Sequence, residues 1–247
     1  MNINILKTPI ETGQTAAVKT ATLIADTIAR QGYARMVVST GQSQFEFFEA
    51  LTAMDIPWPQ VELFHLDEYI GLPITHKASF RKYLKERFIC KAPGASMHYV
   101  SGEGDIVPVI ANLNAMLREK PVDIGVIGIG ENAHIAFNDP PADFDTEEPY
   151  IVVTLDEACR RQQVREGWFP MIDDVPKQAI SMSVRQILSC KTIVSVVPHS
   201  VKAIAVRDTL SAVKPVSAIP ASALTAHSDW HLYLDEASAS LLESRPL

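Results

Sequence analysis

The sequence predicts an α/β fold, a Rossmann-like and mostly parallel sheet covered by helices on both faces. Three observations lead there. Short apolar runs alternate with helical patterns along the whole chain, which is the signature of successive βαβ units. None of the apolar runs contains a proline, so all are free to lie inside a sheet. The 247 residues, 47% of them hydrophobic, suffice for one sizeable core, and a single domain over 1–247 is expected.

In chain order, strands are expected at 3–7, 36–39, 61–66, 97–100, 122–127, 151–155, 179–183, 192–197 and 230–233. The run at 122–127 is rich in β-branched residues and ends in glycines, as a buried parallel strand does. Between 15 and 30, Ala17, Ala21, Ile24 and Ile28 share one helical face, and Gly32 supplies the stop. A helix with Phe45, Phe48 and Leu51 follows, with Ser43 as one reading of its N-cap. Helices are also expected at 80–89, 110–117 and 201–210, the last with Ser200 as N-cap. The segment 140–149, with Pro141, Asp143, Asp145, Glu147 and Glu148, reads as a solvated loop.

Charge and cysteine usage narrow the function. A net charge of -7 without clustered Lys and Arg argues against a nucleic-acid partner. No run approaches the ~18 apolar residues of a membrane span, and the N-terminus lacks the basic, then apolar, pattern of an export signal. Cys90, Cys159 and Cys190 are odd in number and far apart, which fits a reducing cytoplasm and suggests neither a disulfide framework nor a zinc site.

Chemistry concentrates at strand ends, where substrates of open α/β sheets bind. The richest is Gly128-Ile129-Gly130-Glu131-Asn132-Ala133-His134-Ile135-Ala136-Phe137-Asn138-Asp139-Pro140, which places an imidazole and carboxylates beyond an apolar strand. Its plainer reading is a strand-end turn with polar caps. After 36–39 comes a short polar turn through Gly41, Gln42 and Ser43 into a helix, an arrangement that aims N–H groups at an anion. One glycine and no following Walker lysine disfavour a nucleotide. Asp67 and Glu68 end the strand at 61–66. Asp67 is the candidate proton carrier there, with loop capping the competing reading. Lys202, beyond 192–197, brings an ammonium to another strand end. His134 and Asp139 lack metalloprotease spacing or a visible third ligand, so metal binding ranks below proton chemistry.

Read together, these segments resemble the glucosamine-6-phosphate deaminase family, within the group that also holds 6-phosphogluconolactonases. The resemblance runs in order through 39–43, Leu66-Asp67-Glu68-Tyr69-Ile70-Gly71-Leu72, the 128–140 segment, Val175-Pro176-Lys177, Lys202-Ala203, and Pro220-Ala221-Ser222-Ala223-Leu224 with His227. His134-Ile135-Ala136-Phe137-Asn138 favours the deaminases, because the lactonases keep only the first part of that motif. The resemblance implies conversion of glucosamine 6-phosphate to fructose 6-phosphate and ammonia, without a cofactor. It implies Asp67 as the base moving a proton between C2 and C1, and His134 as the ring-opening base oriented by Asn132 and Asp139. It implies phosphate contacts from Gly41, Gln42, Ser43, Lys202 and an arginine within 160–165, for which Arg165 is favoured. Four positions depart from the family pattern: Asn132 for an acid, Ala133 for glycine, Asp139 for Glu and Gln42 for a second glycine. A galactosamine-6-phosphate isomerase, a 6-phosphogluconolactonase and a non-catalytic sugar-phosphate sensor remain as alternatives, and a homo-oligomer stays open.

Overall fold

A computed structural model describes residues 1–242. Ten strands are present: β1 (Asn2–Leu6), β2 (Ala34–Val38), β3 (Val61–His65), β4 (Asp67–Tyr69), β5 (Ser96–His98), β6 (Ile124–Val126), β7 (Tyr150–Thr154), β8 (Gln178–Met182), β9 (Thr192–Val196) and β10 (Trp230–Asp235). The helices are α1 (Pro9–Gln31), α2 (Phe45–Thr52), α3 (Phe80–Arg87), α4 (Ile106–Glu119), α5 (Glu157–Arg165), α6 (Val184–Leu188) and α7 (Ala203–Ser211). Seven strands form one sheet in the order β1-β10-β9-β6-β2-β3-β5, and every pairing in it is parallel.

The alternation of side chains across this sheet explains the helices on both faces. Met36, Val38, Leu63, Val194 and Val196 pack with Ala17 and Ile24 of α1, Phe47, Phe48 and Leu51 of α2, and Leu84 of α3. Val37, Phe64, Ile193 and Leu232 point the other way, onto Leu113 and Leu117 of α4, Ile187 of α6 and Val206 of α7. Helix α1 begins six residues earlier than its apolar stripe suggests, because the Thr8 hydroxyl accepts from Glu11 N and Pro9 occupies the first turn. Its predicted stop holds: Gly32 is left-handed and donates to Ile28 O.

Two strands expected in the parallel stack lie elsewhere. β7 and β8 pair antiparallel with each other, and β8 pairs antiparallel with β4, in a separate three-stranded sheet. Tyr69, Phe137, Leu155, Phe169 and Ala179 form its own apolar cluster. Ser200 does not cap α7, for it lies in a short 3-10 turn, Ser200–Lys202, that precedes the helix. Ser43 likewise sits within the turn Gln42–Gln44, and α2 starts after Gln44 without a side-chain cap. Among the described residues no helix is long and apolar enough to cross a membrane.

From β2 the sheet order moves through β3 and β5 on one side and through β6, β9 and β10 on the other. The carboxyl ends of β2 and β6 therefore flank the point where the winding reverses, the place where open α/β sheets form a crevice.

Candidate active site

A cavity of about 410 Å³ occupies that crevice, and its walls include Gly41, Gln42, Ser43, Asp67, Gly130, His134, Arg165 and Lys202. The predicted site residues thus converge from the ends of β2, β3, β6 and β9 and from α5. Asn132 and Asp139 stand directly behind His134.

The turn after β2 is held by three tethers. Tyr83 of α3 donates its hydroxyl to Gly41 O at 2.8 Å. Gln44 N donates to Gly41 O at 3.1 Å, and Gln44 Nε2 reaches Val196 O of β9 at 3.0 Å. Gly41 has φ +112, a backbone state that L side chains avoid. Gly41, Gln42 and Ser43, whose N–H groups make no backbone hydrogen bond among the described residues, line the cavity. Ser39 Oγ, also in the cavity wall, is buried without a hydrogen-bond partner.

Lys202 brings the positive charge. It is 7% exposed and makes no ion pair among the described residues. Burial pushes its pKa down, opposed by the carboxylates of Glu166 and Glu131. Arg165, at the end of α5, is paired with Glu131 and largely exposed. Arg160 instead donates to Ile172 O at 2.5 Å, and Arg161 pairs with Glu157 on the outer face of the helix. Of the three arginines in 160–165, only Arg165 lines the cavity.

The adjacent acids Asp67 and Glu68 divide their work. Glu68 accepts from Tyr69 N, Ser79 Oγ, Phe80 N and Arg81 N, so it fastens the start of α3. The Asp67 carboxyl accepts no hydrogen bond among the described residues and lines the cavity. Burial, reinforced by the neighbouring Glu68 charge, raises its pKa well above the usual carboxylate range. A carboxyl held this way can accept and return a proton near neutral pH.

His134 sits on a loop whose shape depends on Gly130. A Cβ at Gly130 would lie 2.2–2.5 Å from the imidazole ring atoms, so glycine is what leaves room for the ring. Ala133 and Ala136 on either side of it have φ +64 and +51, a left-handed state that costs about 1–2 kcal/mol per non-glycine residue. Hydrogen bonds to β8 and within the loop offset that cost: Phe137 N donates to Ser181 Oγ at 3.0 Å, and Asn138 Nδ2 donates to Met182 O of β8 and to Ile135 O of the loop at 2.8 Å each. Ser181 also stands opposite Asp67 in the β4–β8 register. One residue thereby pairs with the backbone of Asp67 and holds the imidazole loop.

The two groups behind His134 reach it in different ways. Nδ1 faces Asp139 Oδ1 at 3.3 Å, whereas Asn132 does not touch the ring. Its Oδ1 accepts from His134 N at 3.2 Å and its Nδ2 donates to Asp139 Oδ1 at 3.2 Å. Asn132 therefore reaches the ring indirectly, through the His134 backbone and through Asp139. Burial opposes ionisation of Asp139, but the His134 ring, Asp156 N and the Asn132 amide together hold its pKa below the usual value.

Several residues at the site escape sequence reading. Glu131 and Glu166 face the two cations, and Glu166 O accepts from Gln42 Nε2 at 3.4 Å. Asp156 donates its N to Asp139 Oδ2 at 3.0 Å and caps Cys159 N of α5. The signal for Asp156 was present as an Asp-Glu pair opening a helical stretch. Cys159 is different, since only the fold brings it beside His134 and Asp139.

Comparison with known proteins agrees with this geometry. The family model described as glucosamine-6-phosphate isomerases/6-phosphogluconolactonase matches residues 7–232. The glucosamine-6-phosphate deaminase of Latilactobacillus sakei is 34% identical over 206 residues, covering 83% of this chain and 86% of that protein. The one from Oenococcus oeni is 31% identical over 247 residues, covering 99% and 100%. A solved structure of a monomeric glucosamine-6-phosphate deaminase superposes with a TM-score of 0.88 at 31% identity, covering 98% of this chain and 100% of the other. The 6-phosphogluconolactonase of Trypanosoma brucei, at 16% identity and a TM-score of 0.80 over 98% of each chain, shares the fold. A match that spans both the sheet and the crevice residues settles the kinship: the chain belongs to the glucosamine-6-phosphate isomerase/6-phosphogluconolactonase family.

Proposed function

We propose that the chain is a glucosamine-6-phosphate deaminase, releasing ammonia as it isomerises the aldose to fructose 6-phosphate. The observation that carries the reading is a buried, unpartnered carboxyl at Asp67 sharing one cavity with a buried, unpaired ammonium at Lys202. The first suits a carbon-bound proton and the second suits a phosphate. The deaminase names of the relatives support the same choice.

In this reading the turn at 41–43, Lys202 and Arg165 hold the phosphate. His134 passes a proton from the anomeric hydroxyl to the ring oxygen and opens the sugar, while ionised Asp139 holds the imidazole in place. Asp67 takes the proton from C2 and returns it to C1. This shifts the double bond so that C2 becomes an imine, and water then adds to C2 and ammonia leaves. The setting is the cytoplasm, where the free thiols of Cys90, Cys159 and Cys190 stay reduced.

The test is a parallel assay. Glucosamine 6-phosphate should release ammonia faster than galactosamine 6-phosphate, and 6-phosphogluconolactone should not be hydrolysed above background. Lactone hydrolysis without ammonia release would overturn the reading, and so would tight phosphosugar binding without turnover.

A further inference from the structure

We propose that His134, Asp139 and Cys159 form an inhibitory site for one soft divalent cation, with zinc the best match. Their donor atoms lie within 4.8 Å of one another. They supply one nitrogen, one oxygen and one sulfur, a set that favours zinc over the harder magnesium or calcium. The sequence shows no third ligand near His134 and Asp139. The fold supplies it from α5, twenty positions after Asp139.

The three donors are fixed before any metal arrives. Asp156 pins both sides, accepting from Cys159 N at 2.5 Å and donating its own N to Asp139 Oδ2 at 3.0 Å. That leaves Asp139 Oδ1 turned toward His134 Nδ1, which is buried and has no aligned hydrogen-bond partner. Cys159 is fully buried against the cluster that includes Tyr69, Phe137 and Phe169. Burial first, then the nearby Asp139 and Asp156 carboxylates, raise the pKa of its thiol. The same negative surroundings that oppose a thiolate alone favour a dication beside it. Of the three, only His134 lines the cavity; its Nδ1 is buried and faces Asp139, so the ion would sit behind the imidazole, screened from the cavity by the ring.

Binding replaces the thiol S–H with a zinc–sulfur bond and releases that proton to solvent; the imidazole binds through Nδ1 with its own proton on Nε2, and no oxidation state changes. The ion would occupy the atoms through which Asp139 holds the imidazole, so it should stop ring opening. This consequence rests on the proposed deaminase activity, whereas metal binding does not.

The experiment titrates the chelator-stripped chain with cobalt(II) and with zinc, and follows absorption, stoichiometry and ammonia release together. One cobalt per chain should bind with a thiolate-to-cobalt charge-transfer band that zinc displaces, and ammonia release should fall in proportion to bound zinc and return with EDTA. Cys159→Ser, or Cys159→Ala if the serine variant misfolds, should keep its activity without metal. It should lose the band and weaken zinc by more than the ~10–100-fold typical of outer-shell changes. Cys90→Ser, at an exposed thiol, should behave like the parent. A band that survives in the Cys159 variants, or one that disappears in Cys90→Ser, would overturn the site. A chain that binds cobalt through Cys159 yet releases no ammonia would keep the metal site and reject the deaminase reading.

Discussion

The two sheets contribute differently to one cavity. The parallel sheet presents the turn after β2 and Lys202 beyond β9, groups that hold charge. The small antiparallel sheet carries Asp67 on β4 and, through Ser181 on β8, anchors the loop that bears His134. In the proposed reading the phosphate grip rests on the parallel sheet alone, whereas the proton-moving groups also lean on the small sheet, so changes in the small sheet should leave binding largely intact.

The largest break in that division is expected at Asp67. Asp67→Asn should lower turnover by about 10²–10⁴-fold, the usual scale of general acid–base catalysis, with little change in KM. The same variant should be more stable than the parent at about pH 7. The folded carboxyl keeps a proton that the unfolded chain releases above its usual value of 3.8. Stability therefore falls as pH rises from there toward the raised folded value. The amide removes this penalty, and thermal melts should converge by about pH 3.

Lys202→Ala tests the other scaffold. Losing one charged partner of a phosphate costs about 1.5–3 kcal/mol, so phosphosugar affinity should drop ~10–100-fold in a calorimetric titration. Ser181→Ala probes the joint between the carboxyl and the imidazole loop. It leaves the buried Phe137 N–H without its acceptor, which should cost about 1–3 kcal/mol of stability in urea melts and lower kcat more than KM. The smallest effect is expected at Glu131, whose carboxylate competes with phosphate for Arg165. Because the pair is exposed, Glu131→Gln should tighten phosphosugar binding by no more than about fivefold.

The same division explains what the sequence revealed. Parallel strands buried on both faces read as apolar runs, so β2, β3, β6, β9 and β10 were legible along with the polar residues at their ends. β7 and β8 also read as strands, but their partners could not be read. Antiparallel pairing of Asp67 with Ser181 joins residues far apart in the chain, and no local pattern encodes it. Position at a strand end made Asp67 the candidate over Glu68, but no local pattern gave a physical reason for the choice. The structure supplies the physical reason, since Glu68 is consumed by five hydrogen-bond donors, two of them from Arg81. How Asn132 would orient His134 was also invisible in the sequence: its side chain turns to the His134 backbone and Asp139 rather than to the ring.

The central claim is that phosphate grip and proton transfer are carried by different residues of one cavity, and equilibrium binding of the product tests it without relying on rates. Fructose 6-phosphate should bind Asp67→Asn about as tightly as the parent, because the amide resembles the protonated carboxyl, and should bind Lys202→Ala ~10–100-fold more weakly. Full affinity in the Lys202 variant with lost affinity in the Asp67 variant would contradict the account.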